Sequence, residues 1–267
     1  MDLLLLFKLT LAPLMVAAAT LFGRRYGQTA AGLVAGLPIV AGPILWFYAN
    51  EQGPAYAQAA SVSTLLGLFS LSLFAVAYAW RAWSGGSVLS SLILGWLAFL
   101  GATLIIDRLL ERQGLGWPQG LAVGLASLFL AVKSLPPPEK NAAPARTAYP
   151  VWDLPLRMIA TAALVWGLSH FAQRLGPRLG GLLTPFPVAS TVLTVFAHDQ
   201  GGSDAARSVL KGLLLALNAF AVFCGVLAVS LPSLGPPAAF GVALAAATLA
   251  QAGMIYWQWK ARAVMAR

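Results

Sequence analysis

Two prolines set in the middle of apolar runs are the residues of this sequence best placed to do chemistry. Pro38 lies in AGLVAGLPIVAGPILWF and Pro187 in GGLLTPFPVASTVLTVF. A proline inside a helix removes one backbone N–H and clashes with the carbonyl four residues back, so it frees polar groups that lipid cannot satisfy. Pro43 adds a second break to the first run, and Pro185 another to the second. Gly32, Gly36, Gly42, Ala189, Ser190 and Thr191 keep both segments narrow enough for a ligand or another backbone to approach. The expectation is a midplane cavity between broken helices, with Pro38, Gly42, Pro43, Pro185, Pro187, Ser190 and Thr191 as its candidate residues. The competing reading is that proline kinks and small-residue stripes only pack helices together.

Charge inside apolar runs is the second pointer. Lys8 and Arg157 each sit about one turn inside a run, and Arg25 and Arg174 lie near run ends. A charge at the bilayer centre costs about 2.5–3.5 kcal/mol, but near a helix end the stem can snorkel to the headgroups at lower cost. Against that reading stands the idea that Lys8, Arg157, Arg25 and Arg174 form cationic mouths for an anionic ligand. His198-Asp199 is expected to be a solvated pair that could sense pH. His170 is expected at an interface, Asn218 in a structural role, and Asp107, Arg108, Glu111 and Arg112 in a helical turn with local ion pairs.

Other chemistries are absent. There is no phosphate-cradling G-x-x-x-x-G-K-[ST], no H-E-x-x-H and no G-x-S-x-G. One cysteine and two histidines supply no zinc or haem set, and no carboxylate pair sits centrally in a run. The expectation is a protein that is not an enzyme, with no catalytic residue, metal or cofactor.

The elements that must position these residues follow from composition. Of 267 residues 59% are hydrophobic and 9% charged, too few charges to cover a water-facing surface of ordinary composition. The net charge of +9 therefore reads as membrane topology, with the lipid bilayer rather than nucleic acid as partner. A bilayer core of roughly 30 Å needs about 20 apolar residues per helix. Nine runs qualify: 3–22, 30–49, 58–80, 87–106, 117–133, 154–173, 179–197, 209–230 and 236–257, with 117–133 the shortest and an eight-helix count as the alternative. PPPEKNAAPARTAYP, between the fifth and sixth runs, predicts an extended linker. An outside N-terminus puts twelve of the 17 Lys and Arg inside, including Arg24, Arg25, Arg81, Lys133, Arg157 and Arg207, so the chain is expected N-out and C-in. Trp46, Trp80, Trp83, Trp117, Trp152 and Tyr256 near run ends predict aromatic belts.

The runs also repeat. At a constant offset of 149 residues Gly27 matches Gly176, Gly32 matches Gly181, Pro38 matches Pro187, Phe47 matches Phe196, Gly53 matches Gly202 and Phe74 matches Phe223. Lys8 falls on Arg157 and Arg25 on Arg174. Because five runs separate equivalent helices, the copies should insert upside down relative to one another. The predicted fold is an all-α polytopic membrane protein with two inverted four-helix repeats, residues 1–106 and 154–267, joined by a connector helix and linker over 107–153. Because the first run has an internal counterpart, it is not expected to be a cleaved signal peptide.

The segments AGLVAGLPIVAGPILWF and GGLLTPFPVASTVLTVF resemble the GlpM family of small bacterial inner-membrane proteins, which look like one copy of this unit. The resemblance spans one short segment in each half, and the chain departs from the family as a fused double copy with an added helix. It implies a bacterial inner-membrane location and, from that family's association with alginate production, a link to export of envelope polysaccharide or its lipid carrier. It carries over no catalytic residue. The function expected is a carrier, flippase or channel for a small or amphipathic, anionic envelope metabolite, with a small-molecule or lipid-linked substrate. The alternative is a non-transporting scaffold or accessory subunit of an envelope polysaccharide or lipid assembly.

Overall fold

A computed structural model of the chain describes residues 3–37, 41–113, 115–138, 149–182 and 186–265. Its elements are all helical: α1 Leu3–Tyr26, α2 Gln28–Ala35, α3 Ala41–Glu51, α4 Pro54–Trp83, α5 Val88–Gln113, α6 Trp117–Ser134, α7 Asp153–Leu182 and α8 Val188–Met265. The backbone of α8 leaves helical geometry at Gly202 and Gly235, dividing it into segments 188–201, 203–234 and 236–265. Among the described residues, three helices are long and apolar enough to cross a membrane by length and composition: Pro54–Trp83, Val88–Leu109 and Val188–Met254. The chain thus has the helices of a membrane protein.

Helix boundaries follow local chemistry. Pro54 opens α4 in the first turn, where its missing N–H would have had no intrahelical partner. Gly53 and Gly202, matched at the repeat offset, turn the chain before α4 and before segment 203–234 with φ of +91° and +73°, a region any Cβ disfavours. The halves differ one turn earlier. Gly27 has φ +93° and separates α1 from α2, whereas α7 runs as one helix through its counterpart Gly176 to Leu182.

The core is α4 laid against segment 203–234, with α6 wedged on both. Leu65, Leu68, Phe74 and Tyr78 of α4 pack with Leu210, Leu214, Phe223 and Leu227. The two helices run antiparallel, because Gln58 near the start of α4 donates to the carbonyl of Ala228 near the end of its partner, at 2.8 Å. That bond has a covalent cause: Pro232, four residues on, has no N–H to offer the Ala228 carbonyl. The Gln58 amide supplies the donor that the helix lacks. The predicted connector α6 enters this core through Gly124, whose Cβ position would lie 3.0 Å from the Leu65 carbonyl oxygen, and through Ser127, 3.4 Å from the Ser72 hydroxyl. By contrast α5 lies at the edge, exposing Leu89, Ile93, Leu97, Leu100 and Leu104 in one apolar stripe, as a lipid-facing helix should.

Among the described glycines, those of α2 and segment 203–234 bring two backbones close together. A Cβ on Gly32 would collide with the Val209 carbonyl oxygen, and one on Gly212 with the Thr29 carbonyl oxygen. On Gly36 it would come within 2.5 Å of the Ala216 Cβ. Here the small-residue spacing serves helix packing, backbone on backbone.

Candidate functional site

The break between α2 and α3 opens onto a cavity of about 780 Å³. Leu37, Gly42 and Pro43 line one side, and Ala219 and Phe223 of segment 203–234 form the floor. The far wall is segment 236–265, through Phe240, Gly241, Leu244, Ala247, Thr248, Gln251 and Ala252. Phe223 and Ala219 are buried, whereas Gly241, Leu244, Thr248 and Ala252 are exposed, so the cavity is open on the side of the last segment. Among the described residues that line it, Thr248 and Gln251 carry the polar side chains. The Thr248 hydroxyl is satisfied by the Leu244 carbonyl at 2.8 Å, while Gln251 Oε1 is buried without a hydrogen-bond partner.

The repeat offset explains why space is left here. Counting on 149 residues, Leu37 corresponds to Phe186, Gly42 to Thr191, Gly95 to Leu244, Trp96 to Ala245 and Phe99 to Thr248. At the second break the larger residues fill the volume. Phe186 packs on Trp96 at 5.9 Å between centroids and edge-on against Phe99 at 5.2 Å. The Trp96 indole N–H donates to the Thr191 hydroxyl at 3.2 Å, and Ser190 and Thr191 are both buried. Gly95 lets α5 lie directly on Phe74, since a Cβ there would come within 2.9 Å of the ring. The counterpart of Phe74 is Phe223, which faces Leu244 across the cavity. On the last segment leucine stands in place of glycine and threonine in place of an aromatic, and the volume beside Phe223 is unfilled.

A second polar site joins the ends of α1, α7 and segment 188–201. Asp153, fully buried, receives Arg24 Nη2 at 2.7 Å and Arg157 Nε at 3.0 Å on Oδ2, and the Gln200 amide at 2.6 Å on Oδ1. Arg157 also donates to Gln200 Oε1 at 2.9 Å. Each guanidinium covers an aromatic ring at 4.5 Å, Arg24 over Tyr149 and Arg157 over Phe196. Burial pushes the Asp153 carboxyl up, but the hydrogen bonds from Arg157 and Arg24, the charge of Arg157 and the Gln200 amide outweigh it, holding the group below the ordinary carboxylate range. Nearby in chain, His198 Nδ1 and the Tyr78 hydroxyl lie 3.2 Å apart, tying α4 to segment 188–201.

The candidate residues are thus dispersed. Gly42 and Pro43 line the cavity; Pro187, Ser190 and Thr191 are buried in the closed break; Pro38 and Pro185 lie outside the described residues. Arg157 is engaged by Asp153, and Arg25 is exposed at the end of α1, 5.4 Å over the Tyr26 ring. Lys8 and Arg174 belong to α1 and α7, and their side chains lie outside the described residues. The Asn218 amide bonds to the carbonyls of Leu214 and Leu215 in its own helix. Trp80, Trp83, Trp117 and Trp152 are exposed near helix ends, where belts were expected. Among the described residues no three His, Cys, Asp or Glu side chains gather into a metal-ligand group.

Sequence reasoning passed over Asp153, Arg24, Gln200 and Gln251. Asp153 four residues before Arg157 on one helix was a readable signal for a local ion pair. Nothing in the sequence pointed to Arg24, since its counterpart at the repeat offset is Gln173. No family model, no curated protein and no solved structure matches this chain.

Proposed function

We propose that the chain is a bacterial inner-membrane carrier or flippase for an amphipathic, anionic envelope metabolite, built from two inverted repeats that thread the bilayer nine times. The observation that carries this reading is the cavity of about 780 Å³ at one of two matched helix breaks. Among the described residues the lining is apolar apart from Thr248 and Gln251, the form of a small-molecule site. It adjoins backbone interrupted within an apolar stretch, where transporters place their substrates.

The threading is supported by which helix ends meet. In the nine-span, N-out scheme the end of α1, the start of α7 and the end of segment 188–201 share the inner face, and Arg24, Asp153 and Gln200 join them. That scheme also sends Tyr78 and His198 inward, and Trp80 with Ser134, whose carbonyl accepts the indole N–H at 2.7 Å. Gln58 and Ala228 both fall on the outer side. Equivalent helices run antiparallel in both cases, α1 against α7 and α4 against segment 203–234, as inversion requires. The GlpM resemblance supports the location and the class of metabolite. The anionic preference rests on the inner-face arginines Arg24, Arg25 and Arg157, of which two share one carboxylate.

The test is lipid movement in vesicles carrying the purified protein and a short-chain fluorescent anionic phospholipid. Dithionite, which reaches the outer leaflet only, is expected to quench well beyond the outer-leaflet fraction; quenching that stops at that fraction contradicts the proposal. The second reading, a non-transporting scaffold, is favoured by the seam beside the cavity. Val34 and Ala35 of α2 pack with Val192 and Leu193 in a cluster of apolar residues.

A further inference from the structure

We infer that His198 and Tyr78 form a proton-operated latch between segment 188–201 and α4, in which the neutral imidazole holds the tyrosine hydroxyl and a proton on the ring releases it. The latch lies apart from the cavity and does not rest on the transport reading.

Its geometry leaves one direction for the hydrogen bond. The Tyr78 hydroxyl and His198 Nδ1 are 3.2 Å apart, and the two rings meet edge to face at 5.8 Å between centroids. Tyr78 is fully buried, and among the described residues Nδ1 is the acceptor within reach of its hydroxyl. A buried O–H without an acceptor is unfavourable, so the tyrosine donates and Nδ1 carries no proton. The proton of the neutral ring is then on Nε2. The remaining lone pair, which a second proton must use, is the one the tyrosine occupies. Protonation therefore sets N–H against O–H. The hydroxyl must turn its hydrogen away into the buried core, where Phe74 packs beside the ring at 6.0 Å between centroids.

The ring is also reachable. His198 is half-buried, and Asp199, next in the chain, is exposed. The charged groups on the surrounding elements are Asp153 with Arg24 and Arg157 on α7 and α1, Arg81 one turn beyond Tyr78 on α4, and Lys133 in the last turn of α6. Asp204, Arg207 and Lys211 open segment 203–234. Of the side-chain types in this set, histidine is the one whose ordinary range lies between about pH 5 and 8. Two residues after His198, Gln200 is bonded to Asp153 and Arg157 of α7, and the backbone leaves helical geometry at Gly202. Release at His198 thus frees α4 from a segment that α7 still holds.

The experiment uses the full chain in lipid nanodiscs with isotope-labelled histidine. A His170→Gln background, changed at an exposed position of α7, leaves one histidine to observe. Nitrogen chemical shifts should show Nδ1 without a proton in the neutral ring. In Tyr78→Phe, which removes only the hydroxyl, the ring should titrate about one pH unit higher, a tenfold gain in proton affinity. Hydrogen exchange, corrected for the intrinsic effect of pH, should rise roughly tenfold in peptides covering 192–200 between about pH 8 and about pH 5.5. In His198→Gln, whose amide oxygen can still accept from Tyr78, that rise should be absent. A proton on Nδ1 of the neutral ring overturns the inference, as does an unchanged titration in Tyr78→Phe. So does an exchange response that persists in His198→Gln, because another group would then carry it.

Discussion

The two helix breaks carry matched prolines and have opposite interiors. At the second, Phe186 is held between Trp96 and Phe99, and Thr191 is bonded to the indole of Trp96. At the first, Leu37, Gly42 and Thr248 stand around empty volume. The helices before the two breaks end at Ala35 and Leu182. Whether a site opens there is decided by the neighbouring helix, α5 in one case and segment 236–265 in the other. Trp96 and Phe99 fill one break; Leu244 and Thr248 line open volume at the other.

The largest effect separating the two regions should come from truncating the aromatic that fills the closed break. Phe99→Ala removes a fully buried ring and should cost about 3–5 kcal/mol, whereas Thr248→Ala on the exposed cavity wall should stay within about 0.5 kcal/mol. Unfolding midpoints in detergent micelles compare the pair, and equal losses would erase the distinction.

Next comes the tie that joins the end of α1 and segment 188–201 to the start of α7. Asp153→Ala leaves Arg157 buried without its carboxylate and should cost about 3 kcal/mol. The pH dependence has a definite sign. The folded carboxyl lies below its unfolded value near about 3.9, so its contribution is complete above that value and is lost as pH falls through the lower folded one. Acid titration of the unfolding midpoint should therefore lose this component in the unsubstituted protein, and Asp153→Asn should lack it.

A smaller change tests the wedge. Gly95→Leu places on α5 the residue found on the last segment and sets it against Phe74, so it should cost about 1–3 kcal/mol by overpacking. A melting temperature unchanged by this substitution would mean that α5 tolerates the bulk and that Leu244 does not explain the gap. The smallest contrast is at the breaks themselves. Thr191→Val should cost about 0.5–1.5 kcal/mol through the lost indole bond, while Gly42→Ala should be close to neutral, since its Cβ would meet only Phe223 Cζ at 3.7 Å.

Much of this architecture was readable from the sequence. The apolar runs anticipated an all-helical chain with long apolar helices, because length and hydropathy are local properties. Gly53 and Gly202, paired at the repeat offset, both turn the chain with positive φ, a local requirement that glycine meets. The cavity was not readable, because the prolines that suggested it are equal in both halves and the residues that decide it lie on helices remote in sequence. Nor was the charged cluster, where Arg24 reaches a carboxylate 129 positions away. Gln58 illustrates the same limit: a glutamine in an apolar run looks incidental until Pro232 on another helix is seen to strip the Ala228 carbonyl of its donor.

The central claim is that one break is open and its counterpart closed. Cys224, the single native cysteine, is buried, so replacing it with alanine gives a background for placing one thiol at either break. Gly42→Cys and Thr191→Cys are then exposed, in membranes, to a bilayer-soluble maleimide, and the extent of modification is read by mass. Rapid modification at position 42 with protection at position 191 is the predicted result. Equal modification at both positions, or protection at both, contradicts it.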